Sequence, residues 1–153
     1  MTVIDPEKVH LALRGTLLTI AELPALRAWD NVSFTPSATA ASIEDALGTF
    51  TTRRRTAPAA LATVEATGLY VIKVYGVANR GDSEIREMVT AIVDAFPLGG
   101  TATLDSGDVV RIDGEGGHTV SQILPISASK TQCTITIPWL VYGRNPASVA
   151  LAS

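Results

Sequence analysis

At 153 residues, with 46% hydrophobic and 18% charged side chains, the chain suits one domain around one core and carries enough apolar side chain to exclude wholesale disorder. A formal net charge of −3 argues against a dedicated nucleic-acid binder, which needs a clustered excess of Lys and Arg. One cysteine, Cys133, and two histidines, His10 and His118, leave no internal disulfide and no zinc-ligand spacing, so neither metal nor cofactor is expected.

The first residues, Met1-Thr2-Val3-Ile4-Asp5-Pro6-Glu7, lack the basic start and apolar run of a secretory signal and read as a cytosolic start. The positive mean hydropathy, +0.27, does not come from a membrane span, because Lys73, Arg86 and Pro97 cut the apolar stretches well short of the ~20 residues required. It points to core or subunit interface.

Asp5 as cap and Pro6 at the first helical position begin a helix whose apolar residues Val9, Ala12, Leu13, Leu17 and Ile20 recur at helical spacing, with Gly15 as its weak point. Pro24 ends it, a short second turn passes through Leu26, Arg27 and Ala28, and Trp29 to Pro36 reads as extended. Pro36 to Ala41 is a Ser/Thr/Ala-rich loop. Ile43 to Leu47 fits a helical turn, whereas Thr49 to Thr56 has the β-branched content of a strand. From Thr63 a strand with apolar residues on both faces, Val64, Leu69 and Val71 against Tyr70, Ile72 and Val74, is expected to be central and buried on both sides. Gly76 to Gly81 forms a turn.

A second helix runs from Ser83 to Phe96, capped by Asp82, with the stripe Ile85, Met88, Val89, Ile92, Phe96, and is stopped by Pro97 and Gly99-Gly100. An antiparallel meander follows: Val109–Ile112, a turn at Gly114-Glu115-Gly116-Gly117, Thr119–Ser127, and Gln132–Tyr142, where Cys133, Ile135, Ile137, Trp139 and Val141 alternate strictly. The fold class expected is α+β: a single domain over 1–144, mainly antiparallel sheet with two main helices packed on one face, and 145–153 as a loose tail.

Catalytic chemistry is hard to place. A nucleophile needs a base beside it, and His10 lies off the apolar stripe while His118 adjoins a Gly-rich turn, so both read as solvated. Cys133 reads as a buried small hydrophobe. The Gly114–Gly117 run lacks phosphate-loop spacing and reads as a hairpin turn, and the pairs Asp105 with Asp108 and Glu84 with Glu87 read as solvated charges. Arg80-Gly81-Asp82 serves a turn and a helix cap. Arg53-Arg54-Arg55 reads either as an edge strand guarded by charge or as a site for salt bridges to a neighbouring subunit or for contact with DNA. No catalytic residue is expected; an enzyme would need a pocket joining His10 or His118 to Cys133, a serine or a carboxylate.

The pattern Trp29-x-Asn31-x-x-Phe34-x-Pro36, a strand near Thr49–Arg55, a long strand ending in Tyr75-Gly76, a Gly-containing turn, and a helix closing at Ala95-Phe96-Pro97 resembles the tail-terminator-like proteins of bacteriophages. The resemblance covers residues 7–144, including the Val109–Ile112 and Thr134–Tyr142 strands. It implies a structural virion subunit, assembled in the bacterial host cytoplasm. Such a subunit forms a ring, typically a hexamer, at the head-proximal end of a long tail, ends tube polymerisation and joins the tail to the head. Its implied partners are further copies of itself, the tail tube protein and the head–tail connector protein, with no membrane. In such a ring Trp29 and Phe34 pack at the base of a loop, and Arg53, Arg54 and Arg55 meet acidic residues of a neighbour or line a lumen crossed by DNA. The rival readings are a neck or head-completion subunit, and an accessory protein that contacts nucleic acid through Arg53–Arg55.

Overall fold

The computed structural model describes residues 4–21, 26–28, 41–54, 63–78, 83–105 and 107–144. Helix α1 (Pro6–Leu17) begins as its sequence dictates: the Asp5 carboxylate accepts from the Glu7 amide at 3.0 Å, which satisfies one of the amides that the first turn leaves unpaired. Val9, Leu13 and Leu17 face the core, while Gly15 sits on the solvent side, where its missing side chain costs no packing.

Among the described residues, eight strands make one sheet. β1 (Leu26–Ala28) runs parallel to β2 (Ser42–Arg54); β2 pairs antiparallel with β3 (Thr63–Val77), and β3 with β8 (Lys130–Arg144). On the far side of β8 follow β5 (Val109–Ile112) and then β4 (Thr101–Thr103), with β6 (Thr119–Val120) and β7 (Leu124–Ser127) pairing farther along the same flank. Helix α2 (Ser83–Ala95) and α1 lie on one face, α2 against β3 and β8, α1 reaching β2 and β4. The architecture is α+β, as expected.

The core follows the two-residue period of the long strands. Cys133, Ile135, Ile137, Trp139 and Val141 of β8 are buried beneath the helices, as are Ala66, Tyr70, Ile72 and Val74 of β3. Sealing a Val, Ile or aromatic side chain contributes about 1.5–3 kcal/mol, so this double row outweighs any single polar contact in the molecule. Gly68 occupies the core-facing position between Ala66 and Tyr70: a Cβ there would stand 2.6 Å from the Trp139 indole and 2.1 Å from the Thr49 carbonyl oxygen. The opening it leaves, opposite the irregularity in β2 between Leu47 and Phe50, seats the indole.

Five expectations change. Leu26 to Ala28 is a strand and not a helical turn, because its backbone pairs with Ser42–Glu44. Ile43 to Leu47 belongs to β2, since β3 pairs it residue by residue. β3 is central, but its second face is only half-buried at Leu69 and Val71. Gly76 and Val77 stay in β3 opposite Thr131 and Lys130. The Thr119–Ser127 strand is broken into β6 and β7: the Thr134 amide goes to the Ser121 hydroxyl at 2.8 Å, and Pro125 has no amide to give the ladder. The Asp82 cap, the Arg80-Gly81-Asp82 run, the Trp29–Pro36 stretch and the tail at 145–153 lie outside the described residues.

Candidate functional site

Position 10 lies one residue past Val9 on α1, and the packing of α1 on β2 turns it inward. His10 is 6% exposed, which corrects its reading as a solvated residue. Its Nε2 stands 3.1 Å from Asp45 Oδ2 of β2, and Tyr70 of β3 donates its hydroxyl to the same oxygen at 2.6 Å. Arg14, one turn beyond His10, completes the cluster with two hydrogen bonds to Asp45, Nε to Oδ2 at 3.0 Å and Nη2 to Oδ1 at 3.1 Å. The Asp45 side chain has no exposed surface. The same Nε2 lies 3.2 Å from Arg14 Nη2, and because a guanidinium can only donate, the tautomer sets the pairing: Nε2 donates to Asp45 where it carries the hydrogen and accepts from Arg14 where it does not.

Burial alone would raise the Asp45 pKa; the donors on His10, Arg14 and Tyr70 outweigh it and hold the carboxyl below its ordinary value. A carboxylate saturated by donors and sealed from solvent is suited to fastening α1 to the sheet. It is poorly suited to taking a proton from a substrate. The signal was present in the sequence as His10 and Arg14 one turn apart on a helix face, but their partner lies more than thirty residues away.

Cys133 is buried, as expected, and its thiol donates to the Ser121 carbonyl at 3.4 Å. Burial raises its pKa, which keeps it a thiol and a weak nucleophile. His118 is half-buried and bonds to the Phe96 carbonyl oxygen, tying the β5–β6 turn to the end of α2; the solvated reading is corrected here too. In the Gly-rich turn the Asp113 carboxylate takes the amides of Glu115 and Gly116 at 2.9 and 3.2 Å. Those amides are therefore engaged within the turn and do not form a phosphate cradle; the turn is not the hairpin of the expected meander, because β5 and β6 lie one after the other along β8, each pairing with it. Glu84, Glu87 and Asp105 are exposed, and Asp108 is half-buried.

Among the described residues no group of three or more His, Cys, Asp or Glu is placed to hold a metal ion. No described helix is long and apolar enough to cross a membrane.

The candidate contact residues are not brought together in one place. Arg53 and Arg54 end β2, in register with Glu65 and Val64 of β3. β1 pairs with β2 only at Ser42–Glu44, so among the described residues this end of β2 has a strand on one side alone, in keeping with an edge. Arg55, Trp29 and Phe34 lie outside the described residues. The β6–β7 flank, which carried no weight in the sequence, exposes Val120, Leu124 and Ile126. Its signal was an apolar run that lacked charged neighbours.

The profile of a family described as "Phage tail terminator protein" matches residues 8–139. The chain belongs to the phage tail terminator family. It is thus a structural protein of the phage tail, a virion component, and the fold described above is that of a tail terminator. No curated protein matches it. Twelve chains of solved structure do, and one of them, 16% identical, superposes with a TM-score of 0.61 over 91% of this chain and 96% of its own. At that identity the likeness shows the fold alone.

Proposed function

We propose that this terminator assembles as a ring, a hexamer, at the head-proximal end of a long phage tail, where it ends polymerisation of the tail tube and joins the tail to the head connector. Membership of the terminator family over residues 8–139 carries this reading. The physical character of the chain supports it: a sealed core, a polar cluster used for fastening, and apolar strand edges available to neighbours. Ring contacts are heterologous, so two different surfaces of one subunit must meet around the circle. The partners are further copies of the same chain, the tail tube protein and the head–tail connector protein, brought together in the bacterial host cytoplasm. Arg53, Arg54 and Arg55 serve a subunit contact or line the lumen that DNA crosses.

Light scattering on a sizing column over a range of concentrations, with negative-stain images, tests the ring directly. The protein should also cap tail tubes and stop their growth when added to polymerising tube protein. A species that stays monomeric in solution and leaves tube growth unchanged would refute the reading.

A further inference from the structure

Between α1, the end of α2 and β4 lies a pocket of about 210 Å³. Its floor belongs to the core: Leu13, Phe96, Val110 and Ile112 are all buried. Its walls are small side chains. Ala95 at the end of α2 and Ala102 of β4 are half-buried, and Gly100 must stay small, because a Cβ there would stand 2.8 Å from the Pro97 carbonyl oxygen. Pro97 and Thr101, both exposed, mark the mouth. The space therefore opens from the surface onto the hydrophobic core. Atoms that line such a space lack partners on one side and forgo their dispersion contacts, so a guest that restores them is favoured.

The lining also says what kind of guest fits. No charged side chain reaches it. Its polar groups are engaged within the chain: the Thr16 hydroxyl donates to the Ala12 carbonyl at 3.4 Å, the Pro97 carbonyl accepts from the Gly100 amide at 2.8 Å, and the Gly100 carbonyl accepts from the Ile112 amide at 2.8 Å. A charged or strongly polar guest would lose its hydration there without gaining hydrogen bonds. Size narrows the choice further. Drug-sized ligands occupy pockets of roughly 300 Å³ or more, whereas a dry apolar cavity of about 150 Å³ is enough to hold benzene.

We propose that this pocket is a binding site for one uncharged apolar group about the size of a single benzene ring, a small aromatic or a short branched hydrocarbon. Two sources supply that chemistry: a free small molecule, or an apolar side chain presented by a second copy of this chain. The site is a property of the single subunit and holds with or without the ring.

Benzene titrated into the full chain and followed by methyl NMR spectra should give saturable shifts at Leu13, Val110 and Ile112, and should raise the thermal midpoint. Ala102→Leu fills the pocket from the β4 side and Ala95→Leu from the α2 side. In each variant that keeps the far-UV circular dichroism of the unsubstituted protein, benzene affinity should fall by at least about tenfold. The absence of saturable shifts in the unsubstituted protein, or full affinity in the filled variants, would overturn the proposal. The two sources separate on the assembled protein. Benzene uptake that is lost on assembly, with Ala102→Leu needing a higher concentration to assemble, upholds the site and assigns it to a neighbour's side chain. Uptake that assembly leaves unchanged upholds it as a small-molecule site.

Discussion

Arg14 holds Asp45 through two parallel hydrogen bonds of 3.0 and 3.1 Å, joining the middle of the first helix to the second strand. The geometry is that of the bidentate pairs in which arginine outperforms lysine. Removing the acid leaves the guanidinium facing the core without its counter-charge. Asp45→Ala should therefore cost about 3–5 kcal/mol in denaturant unfolding. Arg14→Met combined with Asp45→Leu should recover most of that loss. A double variant as unstable as the single one would show that the rest of the cluster depends on the charges.

The same carboxyl sets a pH dependence. Its folded pKa lies below the ordinary value of 3.8, so the unfolded chain takes up the proton first as acid is added. The stabilisation is complete above that ordinary value and disappears as pH falls through the lower, folded one. Unfolding free energies from about pH 5 down to about pH 2 should decline less steeply in Asp45→Asn than in the unsubstituted protein. Equal slopes would remove Asp45 from the acid response.

Gly68 has little room for change. A methyl group there meets a backbone carbonyl at 2.1 Å, and a carbonyl cannot swing aside as a flexible side chain can. Gly68→Ala should lose at least about 1–3 kcal/mol, and the near-ultraviolet signal of Trp139 should change with it. An unchanged melt and an unchanged Trp139 signal would mean that β2 and β3 part more easily than their register implies.

Gly15 behaves in the opposite way. It lies in the exposed side of α1 with nothing within 4 Å of where a Cβ would stand. Gly15→Ala should raise stability by about 0.5–1 kcal/mol, chiefly by narrowing the unfolded ensemble. A thermal melt decides it; a lower midpoint would point to a backbone demand that the helix does not display.

The parts of this fold that could be read from sequence are those whose signal is local and periodic. Val9, Leu13 and Leu17 mark one helix, Ile85, Met88 and Ile92 the other, and the alternation from Cys133 to Val141 marks the last strand; all have the burial their spacing implies. What could not be read depends on partners far along the chain. Leu26 to Ala28 has no strand signal of its own and is extended because Ser42–Glu44 lies beside it. Ile43 to Leu47 was ambiguous until β3 supplied a ladder. His10 was misplaced for the same reason: a histidine beside an apolar stripe is solvated or buried according to whether an acid waits opposite, and Asp45 does. Arg53 and Arg54 were legible as a charged strand end.

The pairing of β3 with β8 runs without a break from Thr63 opposite Arg144 to Val77 opposite Lys130. Tension along these strands loads every rung of that ladder at once, in shear, so failure requires the whole seam to slip together. Tension across the sheet at β7, held by a short and irregular pairing, peels one rung after another. The subunit is therefore mechanically anisotropic, stiff along its long seam and compliant at its flank, so its grain decides which way it can bear load.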